Sequence, residues 1–198
     1  MEVSLYDEDA GTDLESDSYY YPKSIEKQIV ASKEIIEEHA PEKLIVFGGD
    51  CLVAQTPLDY LNGKYEKLGV LWFDAHPDIS TPKQMNESHA MVLGNLIGGG
   101  ADDLAKHVEN PMDPAQFMYI GLVEETLSDF EREAVDKHQI PVINSQNVNI
   151  LVILSIFTRL FWCKLVQATF TKSLVTLRHQ HLAGAFFLAL NSNNNFEW

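Results

Sequence analysis

Short apolar runs alternating with helical stretches constrain this chain most. Lys43–Phe47 (KLIVF), Leu68–Phe73 (LGVLWF), Phe117–Leu122 (FMYIGL) and the segment entered by Pro141, Val142 and Ile143 have the continuous apolar character of strands buried on both faces. Between them lie helical patterns. Ser24 is a candidate N-cap for a helix whose Ile25, Ile29 and Ile36 form one stripe, running to about His39 before Pro41. A second helix is expected over roughly Leu52–Leu61, and a third from about His89 to Leu96, stopped by Gly98, Gly99 and Gly100. Ser128 and Glu131 form a capping-box pair opening a fourth. This alternation predicts an α/β fold with an open, mostly parallel sheet covered on both faces, and ligands of such sheets sit at the carboxyl ends of strands.

Composition sets limits on partners. The formal charge is −15, so clustered basic residues able to neutralise phosphates are missing and nucleic acid is not an expected partner. Two cysteines, Cys51 and Cys163, do not make a disulfide framework and suit a cytoplasmic setting. Residues 1–22 are acidic, carry no secretory signal, and read as a disordered lead-in to a domain over 23–148. The character changes at 149–198, where Arg159, Lys164, Lys172 and Arg178 face Glu197 alone. Within it Ile150–Phe157 is apolar, but Arg159 and Lys164 interrupt the run before the ~18–20 residues a membrane span needs, so no membrane anchor is expected.

Two expected strands end in polar residues, at Gly48-Gly49-Asp50-Cys51 and at Asp74-Ala75-His76-Pro77-Asp78. Asp74, His76 and Asp78 alternate, so an extended backbone directs all three toward one spot above the sheet edge. A divalent cation offsets the repulsion of two crowded carboxylates, and mixed oxygen and imidazole donors suit Mn2+, with Zn2+, Fe2+ or Co2+ as alternatives. The plainer reading is a capped, solvated turn. Asp50 is expected to hold its loop by hydrogen bonds. His39, His107 and His138 lie near helix ends, where an imidazole needs no ligand, and the pair His179 and His181 has no carboxylate company.

Taken together, GGDC, DAHPDISTP and ESHAMVLGNLIGG resemble the ureohydrolase superfamily of arginases, agmatinases and formimidoylglutamases over about Ile25–Val148. The resemblance implies a three-layer α/β/α sandwich and hydrolysis of linear C–N bonds in small guanidino or formimino substrates by a hydroxide held between two manganese ions. It also implies Asp74 as bridging ligand, Asp78 and His76 as further ligands, and Cys51 where the family has a histidine ligand. A thiolate there either shifts the metal preference or ligates weakly; otherwise Cys51 is simply a small buried residue. His89 matches a family histidine that moves protons and touches substrate, making His89 and Asp78 the catalytic candidates and His89 and Glu124 the substrate-binding ones. The sequence has His-Ala where the family has His-Gly, and lacks the arginine that precedes the Glu124 counterpart.

The family's third motif, Ser-x-Asp-x-Asp-x-x-Asp-Pro, is absent: no aspartate follows Asp136. The sequence therefore predicts a partial ureohydrolase domain with its C-terminal half missing or replaced, and residues 149–198 read as frameshift, read-through or intron translation. Impaired activity is expected. The alternatives are a non-catalytic remnant holding at most one metal, in a homo-oligomer, and a single-metal deacetylase of related fold.

Overall fold

The computed structural model describes residues 2–4, 18–148 and 186–191. Helix α1 (Pro22–His39) buries Ile29 and Ile36, as its apolar stripe predicts. It begins before Ser24, which lies buried in the first turn. Pro22 takes the opening position, where a missing N–H and a fixed φ cost nothing, and Tyr21 precedes it at φ 58°. It ends at Ala40, whose N–H bonds the carbonyl of Ile36, with Pro41 next.

A 3-10 turn over Cys51–Ala54 leads into α2 (Gln55–Lys64), which packs on α1. Strand β1 (Leu68–Phe73) follows, then α3 (Val92–Leu96), α4 (Asp102–Ala105), β2 (Phe117–Leu122), α5 (Asp129–His138) and β3 (Val142–Asn144). The expected capping box at α5 forms, the Ser128 hydroxyl accepting from Glu131 N while the Glu131 carboxylate accepts from Ser128 N. Backbone at Phe186–Asn191 forms β4.

The sheet order is β3-β2-β1-β4. β1 and β2 pair in parallel, Val70 opposite Phe117 and Phe73 opposite Ile120, and β2 and β3 also run parallel. β4 pairs antiparallel to β1, so an otherwise parallel sheet carries one antiparallel edge. Leu68, Val70, Trp72, Phe117 and Tyr119 point to one face and join Leu58, Leu93, Leu96 and Val135 from the helices in the main core. Trp72 and Phe117 meet edge-on with centroids 6.2 Å apart, a geometry worth about 0.5–1.5 kcal/mol beyond area burial. Leu71 and Ile120 occupy the opposite face with Phe73, Met118 and Val148.

Lys43–Phe47 is a correction to the expected strand set. It is irregular, and Ile45 and Phe47 are 85% and 92% exposed. Apolar composition supplies strand propensity, but a strand needs a ladder, and none of the described strands pairs with this segment. Gly48 beyond it is needed, because a Cβ there would lie 2.1 Å from Val53 Cγ1; Gly49 has open space around it. Among the described residues no helix is long and apolar enough to cross a membrane, while Ile150–Phe157, Cys163, His179 and His181 lie outside them.

Candidate metal centre

The carboxyl end of β1 delivers Asp74 directly after Phe73. Its amide continues the ladder by donating to the Ile120 carbonyl at 3.2 Å, and Val123 N returns a bond to Ala75 O at 3.0 Å. A bulge in β2 at Gly121, φ +98°, admits this crossing and turns Leu122 back into the main core. The loop beyond is pinned from below, where the buried Tyr119 hydroxyl donates to Pro77 O at 2.8 Å.

Asp78 follows in a left-handed backbone conformation, φ 49°, which aspartate tolerates better than most residues. Its carbonyl accepts from both Leu93 N and Gly94 N, fixing the loop to α3. The carboxylate is 2% exposed, and its Oδ2 has no hydrogen-bond partner. Burial pushes the Asp78 carboxyl well above the usual range and the Asp74 charge adds to this, with the Cys51 thiol and Trp72 indole offsetting part of it.

Cys51 reaches the same spot from the other polar segment. Asp50 caps the 3-10 turn, Oδ1 accepting from Leu52 N at 2.9 Å, as expected of a loop-holding residue. The Cys51 thiol, 5% exposed, donates to Asp74 Oδ2 at 3.2 Å. Burial first, then the charges of Asp78 and Asp74, hold it strongly in the protonated form. Donor atoms of Cys51, Asp74 and Asp78 all lie within 4.8 Å of one another.

His76 stands apart from this trio. Its backbone N–H donates to Asp74 Oδ1 at 3.0 Å, while its ring is 61% exposed with Nδ1 3.8 Å from the same oxygen. The local turn replaces the extended backbone that would have aimed alternate side chains together. His89, half-buried, sits in the 3-10 turn Ser88–Met91, which packs on the Cys51 turn and is tied to the Asp78 loop through Ser80 N and Ala90 O. Glu124 is exposed past the end of β2, where Asn144 Nδ2 donates to its Oε1 at 3.4 Å.

Sequence reasoning missed the supports. Trp72 and Tyr119 read only as strand residues, yet both lie beneath the loop. Gln55 and Asn95 link the Cys51 segment to α3 and α4: Asn95 Nδ2 donates to Gln55 Oε1, Gln55 Nε2 to Leu104 O, and Ala101 N to Asn95 Oδ1. The available signal was a pair of amides inside otherwise apolar helical patterns.

The donor set tests what this centre fits. Two carboxylates and a thiol, two of the three buried, converge on a space for one cation. No other group of three or more ligating side chains occurs among the described residues. Two manganese ions about 3.5–4 Å apart would need bridging and terminal donors beyond these.

Comparison with known proteins places the chain in a family. The Arginase family model matches residues 5–160. Arginase of Staphylococcus aureus (strain COL) is 29% identical over 107 residues, covering 53% of this chain and 35% of that protein. Arginase from Bacillus caldovelox superposes with a TM-score of 0.65 at 21% identity, over 79% of this chain and 54% of that one. Entamoeba histolytica arginase, solved with L-ornithine, gives 0.63 at 18% identity over 80% and 55%. The chain thus spans about a third of the length of the curated relative and about half that of the solved structures. With a family match over most of its residues and a shared α/β fold, this chain belongs to the arginase family.

Proposed function

We propose that Cys51, Asp74 and Asp78 take up a divalent cation, and that the chemistry behind this centre is hydrolysis of a C–N bond in a small guanidino or formimino substrate. One observation carries the metal reading: a carboxylate oxygen of Asp78 is buried without a hydrogen bond, beside a second carboxylate. Such a pair is costly alone and becomes favourable around a cation. The substrate class follows from family membership, and an acidic loop region suits a cationic substrate.

The dinuclear manganese centre of the family does not fit the three donors gathered here. His89 is the group of this chain suited to moving a proton, and Glu124 the one suited to orienting a basic substrate end. No aspartate follows Asp136 in these 198 residues, so they offer no Asp-x-Asp pair to add to the three donors. We therefore expect metal binding with little or no turnover. A non-catalytic, metal-binding role is the second reading, favoured by the outward His76 ring. Both are compatible with a cytoplasmic homo-oligomer.

The test is metal analysis of the purified chain after loading with Mn2+, Zn2+ or Co2+ and exhaustive dialysis. Urea, ammonia and formamide release on guanidino and formimino compounds would be assayed in parallel. Retained metal with at most trace product is expected. Retention of none of the three ions would overturn the metal reading, and brisk turnover would overturn the impairment.

A further inference from the structure

We infer that Cys51 binds, as a thiolate, a single thiophilic divalent ion together with Asp74 and Asp78, so that this centre selects Zn2+ in place of its family's manganese pair. The inference rests on the preceding reading that the centre binds a cation, and it concerns which ion and how many.

Geometry supports one ion. Zinc bonds of about 2.0–2.3 Å in a tetrahedral site put neighbouring donors about 3–4 Å apart. Cys51 Sγ and Asp74 Oδ2 are 3.2 Å apart, and all three donors fall within 4.8 Å. Asp74 Oδ1 faces the other way, accepting from His76 N, which leaves Oδ2 for the shared space. Asp78, whose buried Oδ2 has no hydrogen-bond partner, supplies the third donor. Among the described residues no second group of three or more ligating side chains stands beside it, and the His76 ring is exposed.

Chemistry selects the ion. Carboxylates alone suit Mg2+, Ca2+ and Mn2+, whereas a thiolate turns the set toward zinc. Cys51 has little freedom to swing aside. Its turn is capped by Asp50 and wedged where Gly48 meets Val53, and the side chain is buried. In the metal-free chain the thiol donates to Asp74; on binding, an S–metal bond replaces the S–H bond and the proton leaves to solvent.

Zn2+ outbinds Mn2+ at most sites of this kind, so affinity order alone is no test. The decisive experiment titrates the metal-free full chain with Co2+ and follows the near-ultraviolet absorbance, where thiolate-to-cobalt charge transfer gives an intense band. The expected result is a band saturating at one equivalent per chain, abolished by Zn2+ and absent in a folded Cys51→Ser variant. In Cys51→His the ratio of Zn2+ to Mn2+ affinity should fall by about tenfold or more. Co2+ uptake without the band, saturation at two equivalents, or a band surviving in Cys51→Ser would overturn the inference while leaving metal binding intact. Absence of any Co2+ or Zn2+ uptake would overturn both.

Discussion

Asp78 shows how local geometry decides what a motif becomes. Its backbone occupies the left-handed region, its carbonyl is held by two amides of α3, and its carboxylate is turned inward where water does not reach it. The alternation of Asp74, His76 and Asp78 made all three look convergent, and that logic is sound only for extended backbone. Here Asp74 Oδ1 captures the His76 amide and closes a turn, so the imidazole faces solvent while Cys51, distant in sequence, fills the space. Tyr119 is the residue on which this loop leans. Replacing it with Phe strips the buried Pro77 carbonyl of its donor, and a loss of about 1–2 kcal/mol is expected in urea unfolding, with weaker metal retention. An unchanged unfolding midpoint would show that the loop is held by other contacts.

At the scale of elements, period and capping were legible wherever the signal was local. The apolar runs of β1 and β2, the stripe on α1 and the capping box of α5 need only nearby residues to be read. Lys43–Phe47 failed because strand formation is settled by partners, which lie elsewhere in the chain. The amide network was illegible for a similar reason: Gln55 and Asn95 are 40 residues apart. It closes fully, with Asn95 giving and receiving in the buried space between α2, α3 and α4. Asn95→Ala leaves the Ala101 amide and the Gln55 carbonyl oxygen without partners, and a destabilisation of about 2–4 kcal/mol is expected by chemical denaturation. A cost below about 0.5 kcal/mol would mean that water replaces the amide without loss.

The molecule as a whole carries a parallel sheet core, β3-β2-β1, with its polar centre at the carboxyl end of β1, the position ligands take in open α/β sheets. The expectation of a mostly parallel α/β fold and an arginase-family relationship follows through to the structure. The antiparallel edge strand Phe186–Asn191 was not foreseen: no element is expected beyond Val148, and a short apolar run alone does not name the strand it will pair with. Beneath the centre lies a well-packed core that includes Trp72, Tyr119 and Leu93, while the apolar segment Ile45–Phe47 is exposed. On the proposed metal reading, a bound cation would offset the repulsion between the Asp74 and Asp78 carboxylates and so stabilise the fold. The most direct measurement is the thermal midpoint of the metal-free chain against an Asp78→Asn variant, with and without Zn2+ at about a hundred times its Kd. The account predicts a rise of about 5–10 °C in the parent chain and little or none in the variant. Equal shifts in both, or no shift in the parent, would contradict it.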